Sequence, residues 1–187
     1  MDFIVQLDTI FFEFINQSGT PFWDPIFLFI TNKWSWIPLY AFLIFLIFKV
    51  KKQAGFIPLI FIVVLIVICD QGSVHLFKNV FQRLRPCHFL ENVRLVTEGC
   101  GGKFGFISSH ASNVFALAVF IGSILSKSTF RLLFVWAALV SFSRVYVGVH
   151  YPLDILFGMM YGTTIALILA NYYKKYEKTL TNLSQLK

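Results

Sequence analysis

Five stretches of this chain are apolar over lengths that match the hydrocarbon of a bilayer: about Trp34 to Val50, Ala54 to Phe77, Ser109 to Ser126, Thr129 to Tyr146 and Pro152 to Tyr173. A helix rising ~1.5 Å per residue crosses ~30 Å in about twenty residues, and inside hydrocarbon it must satisfy its own peptide groups. The predicted fold is therefore an all-α integral membrane bundle with five crossings, or six if the first 31 residues also cross. Only 13% of the 187 residues are charged, about half of the ~25% usual in soluble domains. A soluble enzyme, a disordered tail and a small disulfide scaffold are excluded on that ground.

The length suits one membrane domain over residues 1–187 with no room for an appended soluble module. Residues 1–20 hold no basic residue and include Asp2, Asp8 and Glu13, which is not the pattern of a cleavable signal. Phe3, Ile4, Leu7, Ile10, Phe11, Phe14 and Ile15 recur at helical spacing with acids between them. That pattern predicts an amphipathic interfacial helix, followed by a short apolar piece, Phe22 to Thr31. Residues 78–106 form the one sizeable loop, and a polar tail occupies 174–187.

Orientation follows from basic residues beside the spans, which favour the cytoplasm. Lys49, Lys51, Lys52, Lys127, Arg131, Lys174, Lys175 and Lys178 fall on one side if every span crosses once. That side is expected to be cytoplasmic, with the 78–106 loop facing the periplasm or exterior and the protein in a bacterial inner membrane. The net charge of +7 is scattered between apolar runs instead of forming a stripe. It points to membrane lipids as partners and away from nucleic acid; no oligomeric state follows.

Of the three cysteines, Cys69 lies in an apolar span and reads as a small buried hydrophobe. Cys87 and Cys100 share the outward loop, where thiols oxidise, and a Cys87–Cys100 disulfide is expected. Closing a loop of that size contributes ~3 kcal/mol by the chain-entropy estimate.

Charged and imidazole groups near hydrocarbon are costly and mark function where they cluster. The string KNVFQRLRP places Lys78 and Arg85 seven apart, on one face if the helix continues. In FISSHASN, Ser108 and Ser109 precede His110 at a helix start, where unpaired N–H groups suit an oxyanion. In SFSRVYVGVHYPLD, His150 and Asp154 are four apart. A carboxylate at that spacing can hold one imidazole nitrogen and present the other, the wiring of a histidine nucleophile or base, although Pro152 leaves open whether they meet along a helix or across a turn. The expected topology brings all three segments, with Arg144, to one membrane face. Cations, two histidines, a carboxylate and hydroxyls at one depth match a phosphate ester.

The three strings resemble the signature of the type-2 phosphatidic acid phosphatase superfamily. Lys78 to Pro86 reads Lys-x6-Arg-Pro, His110 closes a Pro-Ser-Gly-His-like string, and Ser143 to Asp154 reads Ser-Arg-x5-His-x3-Asp. The middle string departs from the pattern, with Ile107 in place of Pro and Ser109 in place of Gly. The resemblance implies a metal-independent lipid phosphatase without a cofactor that works through a phosphohistidine. In it His150 is the nucleophile, Asp154 orients it and His110 is the acid, while Lys78, Arg85, Ser108, Ser109 and Arg144 bind phosphate. The implied substrate is a lipid phosphate or diphosphate: undecaprenyl diphosphate, phosphatidylglycerol phosphate, phosphatidic acid or a lipid A phosphate.

Arg83 matches no motif position and is read as a lipid-headgroup contact or, more simply, a solvated residue. His75 and His88 lie at no metal-ligand spacing, and no metal site is expected. Asp70, an acid inside an apolar span, is expected to hydrogen-bond a neighbouring span. An inactive lipid-phosphate-binding protein would not need His110, His150 and Asp154 together. A channel or transporter would spread its polar residues along several spans.

Overall fold

The computed structural model describes residues 2–185, with side chains from 3 to 179; Met1 and the last two residues of the expected tail lie outside it. The helices are α1 (Asp2–Gln17), α2 (Asp24–Thr31), α3 (Ile37–Lys51), α4 (Phe56–Gly72), α5 (Asn79–Phe81), α6 (Pro86–Phe89), α7 (Ser109–Ile124), α8 (Lys127–Tyr146) and α9 (Pro152–Gln185). Prolines open α2, α3, α6 and α9, where the missing N–H costs nothing. The Ser108 and Ser126 side chains cap α7 and α8 by accepting from the Ala111 and Thr129 amides.

Three helical runs are long and apolar enough to cross a membrane: Lys33–Phe81, Lys127–Tyr146 and Pro152–Thr179, with the shorter apolar Ser109–Ile124 between them. The first is not one rod. Lys52 has φ of 52°, the Phe48 and Phe56 rings meet at 4.9 Å, and Lys33 and Lys78 line the same cavity. Thus α3 and α4 form a hairpin whose sharp turn sits at the lysines that close the first apolar stretch.

Helix α7 is the axis of the bundle, buried from Ala111 to Gly122 apart from Asn113 and Leu117 and packed against α4, α8 and α9. Small residues let α9 approach: a Cβ on Gly158 would come within 2.6 Å of the Ser108 carbonyl, and one on Gly162 would strike that of Ser112. The close contact fixes the first turn of α7 against the first turns of α9, where the candidate residues sit. Large apolar side chains such as Phe42, Phe45, Val67, Leu132 and Leu167 face outward, as lipid-facing helices require.

One element differs from expectation. The polar tail is not a separate segment, since α9 continues unbroken past Lys174 to Gln185. Helix α1 forms as expected, but the face it turns inward is Asp8, Phe12 and Asn16, whereas Phe3, Ile4, Ile10, Phe11 and Phe14 are exposed. Asp8 and Asn16 pack inward on either side of Phe12 because they have partners there. Asn16 accepts from the Arg94 amide at 2.9 Å and donates to the Arg94 and Tyr146 carbonyls at 2.9 and 2.8 Å.

Candidate active site

His150 lies in the turn after α8 and Asp154 in the first turn of α9, so the two meet across a helix start and not along a continuous helix. Gly148, at φ of 89°, makes the reversal that returns the chain beneath α8. The His150 amide donates to the Arg144 carbonyl at 3.2 Å. Asp154 Oδ2 accepts from the Tyr151 amide at 3.1 Å and lies 3.1 Å from His150 Nδ1. Facing a carboxylate, Nδ1 carries the proton and Nε2 holds the free lone pair. His150 is 1% and Asp154 0% exposed. Burial, then the charges of Arg85, Arg144, Lys78 and Arg83, hold the imidazole well below its ordinary pKa, so it stays neutral at pH 7.

Arg83, read from sequence as a solvated residue, is instead the hub of this pair. One guanidinium nitrogen donates to Asp154 Oδ1 at 3.1 Å, another to Asp8 Oδ2 at 2.6 Å, and its plane lies 4.0 Å above the Tyr151 ring. Asp8 Oδ1 in turn accepts from the Leu153 amide at 2.9 Å. A chain of fixed groups thus runs from α1 through Arg83 to Asp154 and His150. Sequence reasoning missed Asp8; its signal was a carboxylate one turn before Phe12 and two before Asn16 on a helix otherwise rich in apolar residues.

Lys78 and Arg85 meet by a different route from the predicted helical face. The helix widens into a π-helical segment over Ser73–Lys78, ends at Phe81, and turns at Gln82, whose φ is 48°. Arg85 then follows in extended backbone, donating to the Cys100 carbonyl at 3.0 Å. Lys78 Nζ donates to Ser109 Oγ at 2.7 Å, and Ser109 lies 2.5 Å from Ser73 Oγ, which donates to the Asp70 carbonyl at 2.7 Å. The Ser109 hydroxyl therefore occupies the lysine, a contact glycine could not make. Ser108 is buried as the cap of α7. Arg144 donates to Thr31 Oγ1 at 2.7 Å, and its Nε is buried without a partner among the described residues.

Cys87 and Cys100 are joined in a disulfide with Cα atoms 6.0 Å apart. The bridge holds the strip 100–105 over the site, and a Cβ on Gly105 would come within 2.9 Å of Asp154 Oδ2 and 3.6 Å of His150 Nδ1. Only a residue without a side chain lets the loop close there.

A cavity of about 900 Å³ opens beside these groups between α3, α4 and α7. Lys78, Arg85, Ser109 and His110 line its polar end, and mostly aliphatic side chains from Leu43 and Ile47 to Leu117 and Ile121 line the rest, with Tyr40 and Asn113 among them. His150, Asp154, Ser108 and Arg144 stand outside this lining. The charges of Lys78, Arg85 and Arg144 nonetheless act on both imidazoles. Asp70 also lines the cavity; contrary to expectation its carboxylate hydrogen-bonds no neighbouring helix among the described residues. A cationic mouth above an apolar slot can take an amphiphile whose head is an oxyanion.

The family description of the PAP2 superfamily matches residues 55–178, which span α4 to α9 and contain every candidate residue. This chain belongs to the PAP2 superfamily. It is 36% identical over 171 residues to a lipid A 4'-phosphatase of Porphyromonas gingivalis, covering 88% of this chain and 72% of that protein. A lipid A 4'-phosphatase of Bacteroides thetaiotaomicron is 32% identical over 168 residues, covering 87% of this chain and 75% of that one. An undecaprenyl-diphosphatase of Sulfolobus acidocaldarius is 34% identical over 160 residues, covering 84% and 74%. The crystal structure of Aquifex aeolicus LpxE superposes with a TM-score of 0.68 at 25% identity, over 89% of this chain and 96% of that one. A transmembrane PAP2-type phosphatidylglycerolphosphate phosphatase of Bacillus subtilis has the same fold, with a TM-score of 0.73 at 22% identity, over 94% and 88%. The PAP2 member described here is an integral membrane phosphohydrolase.

Proposed function

We propose that the chain acts as a single membrane domain that removes phosphate from a lipid phosphate or diphosphate through a phosphohistidine. The observation that carries the reading is the buried His150–Asp154 pair, 3.1 Å apart, set among four cations beside an apolar cavity. The neutral Nε2 of His150 attacks phosphorus, and the P–O bond to the lipid breaks as His110 protonates the departing oxygen. His110 then takes a proton from water, whose oxygen displaces the phosphoryl group from His150 and releases phosphate. Asp154 stabilises the imidazolium that forms. Lys78, Arg85 and Arg144, with Ser108 and the Ser109 amide, neutralise the non-bridging oxygens, where one arranged donor is worth ~3 to 4 kcal/mol. These side chains supply the charge that a metal would otherwise supply, and the apolar cavity receives the lipid chain.

The relatives from Porphyromonas and Bacteroides favour a lipid A phosphate as substrate, and the Sulfolobus relative favours undecaprenyl diphosphate. The basic residues at the α3–α4 turn and along the end of α9 support a cytoplasmic location for that end, with the site facing the periplasm across an inner membrane. The test is phosphate release from a panel of lipid phosphates in detergent containing EDTA. Wild type is expected to keep its activity in the chelator and His150→Ala to lose it. Loss of activity in EDTA, or an active His150→Ala, would overturn the mechanism. A protein that binds these lipids and releases no phosphate would be the inactive binder.

A further inference from the structure

Asp70 and Asn113 lie inside the apolar slot, below the cations, and the chemistry above gives neither a task. On α4, Leu59, Val63, Ile66, Asp70 and Val74 form the stripe that faces the cavity, and Asp70 is the one residue of it with a charge. Its carboxylate makes no hydrogen bond or ion pair among the described residues. Across the cavity on α7, Asn113 sits one turn below Ser109 and His110, and its Oδ1 is buried with no partner among the described residues. A buried acceptor left unpaired, and an acid held at membrane depth, are both unfavourable and persist where a ligand completes them.

The two lie at about the same depth on facing helices. Ser73 and Ser109 are level, their hydroxyls 2.5 Å apart beside the Lys78 ammonium, and Asp70 and Asn113 lie about 5 and 6 Å below them along α4 and α7. A lipid whose phosphate rests on the cations would meet both acceptors one turn below it. A polyprenyl phosphate offers them only hydrocarbon from its first carbon onward. A phosphorylated sugar carrying acyl chains offers ring hydroxyls and amide N–H groups beside the phosphate and further polar groups where the chains begin.

We propose that Asp70 and Asn113 form a subsite that accepts hydrogen bonds from the hydroxyl and amide groups of an acylated phospho-sugar, and so set the substrate class. The proposal rests on the phosphatase reading and refines it. A site built around buried acceptors rejects an analogue that lacks the donors, because binding that analogue leaves the acceptors dry and unpaired.

The experiment measures kcat/KM of the full chain in detergent on two substrates, an N,O-acylated glucosamine 4-phosphate and undecaprenyl phosphate. Wild type is expected to favour the sugar lipid. Asp70→Leu and Asn113→Leu are each expected to lower the ratio of the two kcat/KM values about tenfold, the effect of one lost hydrogen bond. Asp70→Asn, which keeps an acceptor in the same shape, is expected to retain most of the ratio, and it replaces the leucine variant if that does not fold. A wild-type preference for undecaprenyl phosphate, an unchanged ratio, or an equal loss on both substrates would overturn the subsite and leave the phosphatase standing. Wild type releasing phosphate from neither lipid would end both readings.

Discussion

At the end of the bundle where α3 turns into α4, Lys51 pairs with Glu177 at 2.6 Å beside the ring of Tyr173, while Lys49, Lys52, Lys127, Lys174 and Lys175 are exposed. At the opposite end Lys78, Arg83, Arg85 and Arg144 are buried or half-buried, and each donates to a specific acceptor: Ser109, Asp8 and Asp154, Cys100, and Thr31. Both ends carry about the same number of cations. The first end spends them on water and headgroups, where an ion pair contributes ~0 to 1 kcal/mol. The second withdraws them from solvent, where breaking a pair strands a charge at a cost of ~3 to 5 kcal/mol. Charge count alone does not distinguish an anchor from a site; the partners do.

The comparison breaks most sharply at Asp154. Asp154→Asn exchanges the carboxylate that holds the His150 proton for a neutral amide and is expected to lower kcat about 10³- to 10⁴-fold, whereas Glu177→Gln at the other end should change it less than twofold. Phosphate release with saturating lipid measures both. Asp8→Asn comes next: as a positioning residue acting through Arg83, it is expected to lower kcat by about tenfold or more with KM little changed. An equal effect on KM would mean that α1 shapes the cavity instead.

The third test uses pH. His150 is held below the ordinary imidazole pKa of ~6.5, so the unfolded chain takes up its proton first as pH falls. Stability is therefore full above ~6.5 and is lost below it, until the folded imidazole also protonates, by up to about 1.4 kcal/mol per pH unit. Melting temperatures between pH 7.5 and 5 should fall less steeply for His150→Gln than for wild type; parallel slopes would refute the burial argument. Ser109→Gly, which frees Lys78, is expected to give the smallest effect, a change of about threefold or less in KM, since the ammonium remains to meet phosphate.

Much of this was legible in sequence. Apolar runs located α3, α4, α7, α8 and α9 because hydrocarbon imposes both length and composition. The three strings contained the residues that converge, because a phosphoryl group requires cations, hydroxyls and an imidazole–carboxylate pair. What stayed hidden depends on tertiary contact. Arg83 looks like any basic residue near a helix end until Asp8, 75 positions away, is seen against it. Gly105 reads as loop flexibility until the carboxylate of Asp154 is found where its side chain would be. The missing family glycine at position 109 looked like a loss, and only the 2.7 Å contact from Lys78 shows what the hydroxyl holds.

The bridge from Asp8 through Arg83 to Asp154 also bears on how the enzyme matures. Asp8 leaves the ribosome well ahead of Asp154, which follows only after α2 to α8 have been made. Asp8 can meet Arg83 once the segment before α6 is made, but the circuit to Asp154 closes only when α9 arrives. A bulky group attached to α1 would thus interfere with the completion of a site built mainly from the distant half of the molecule.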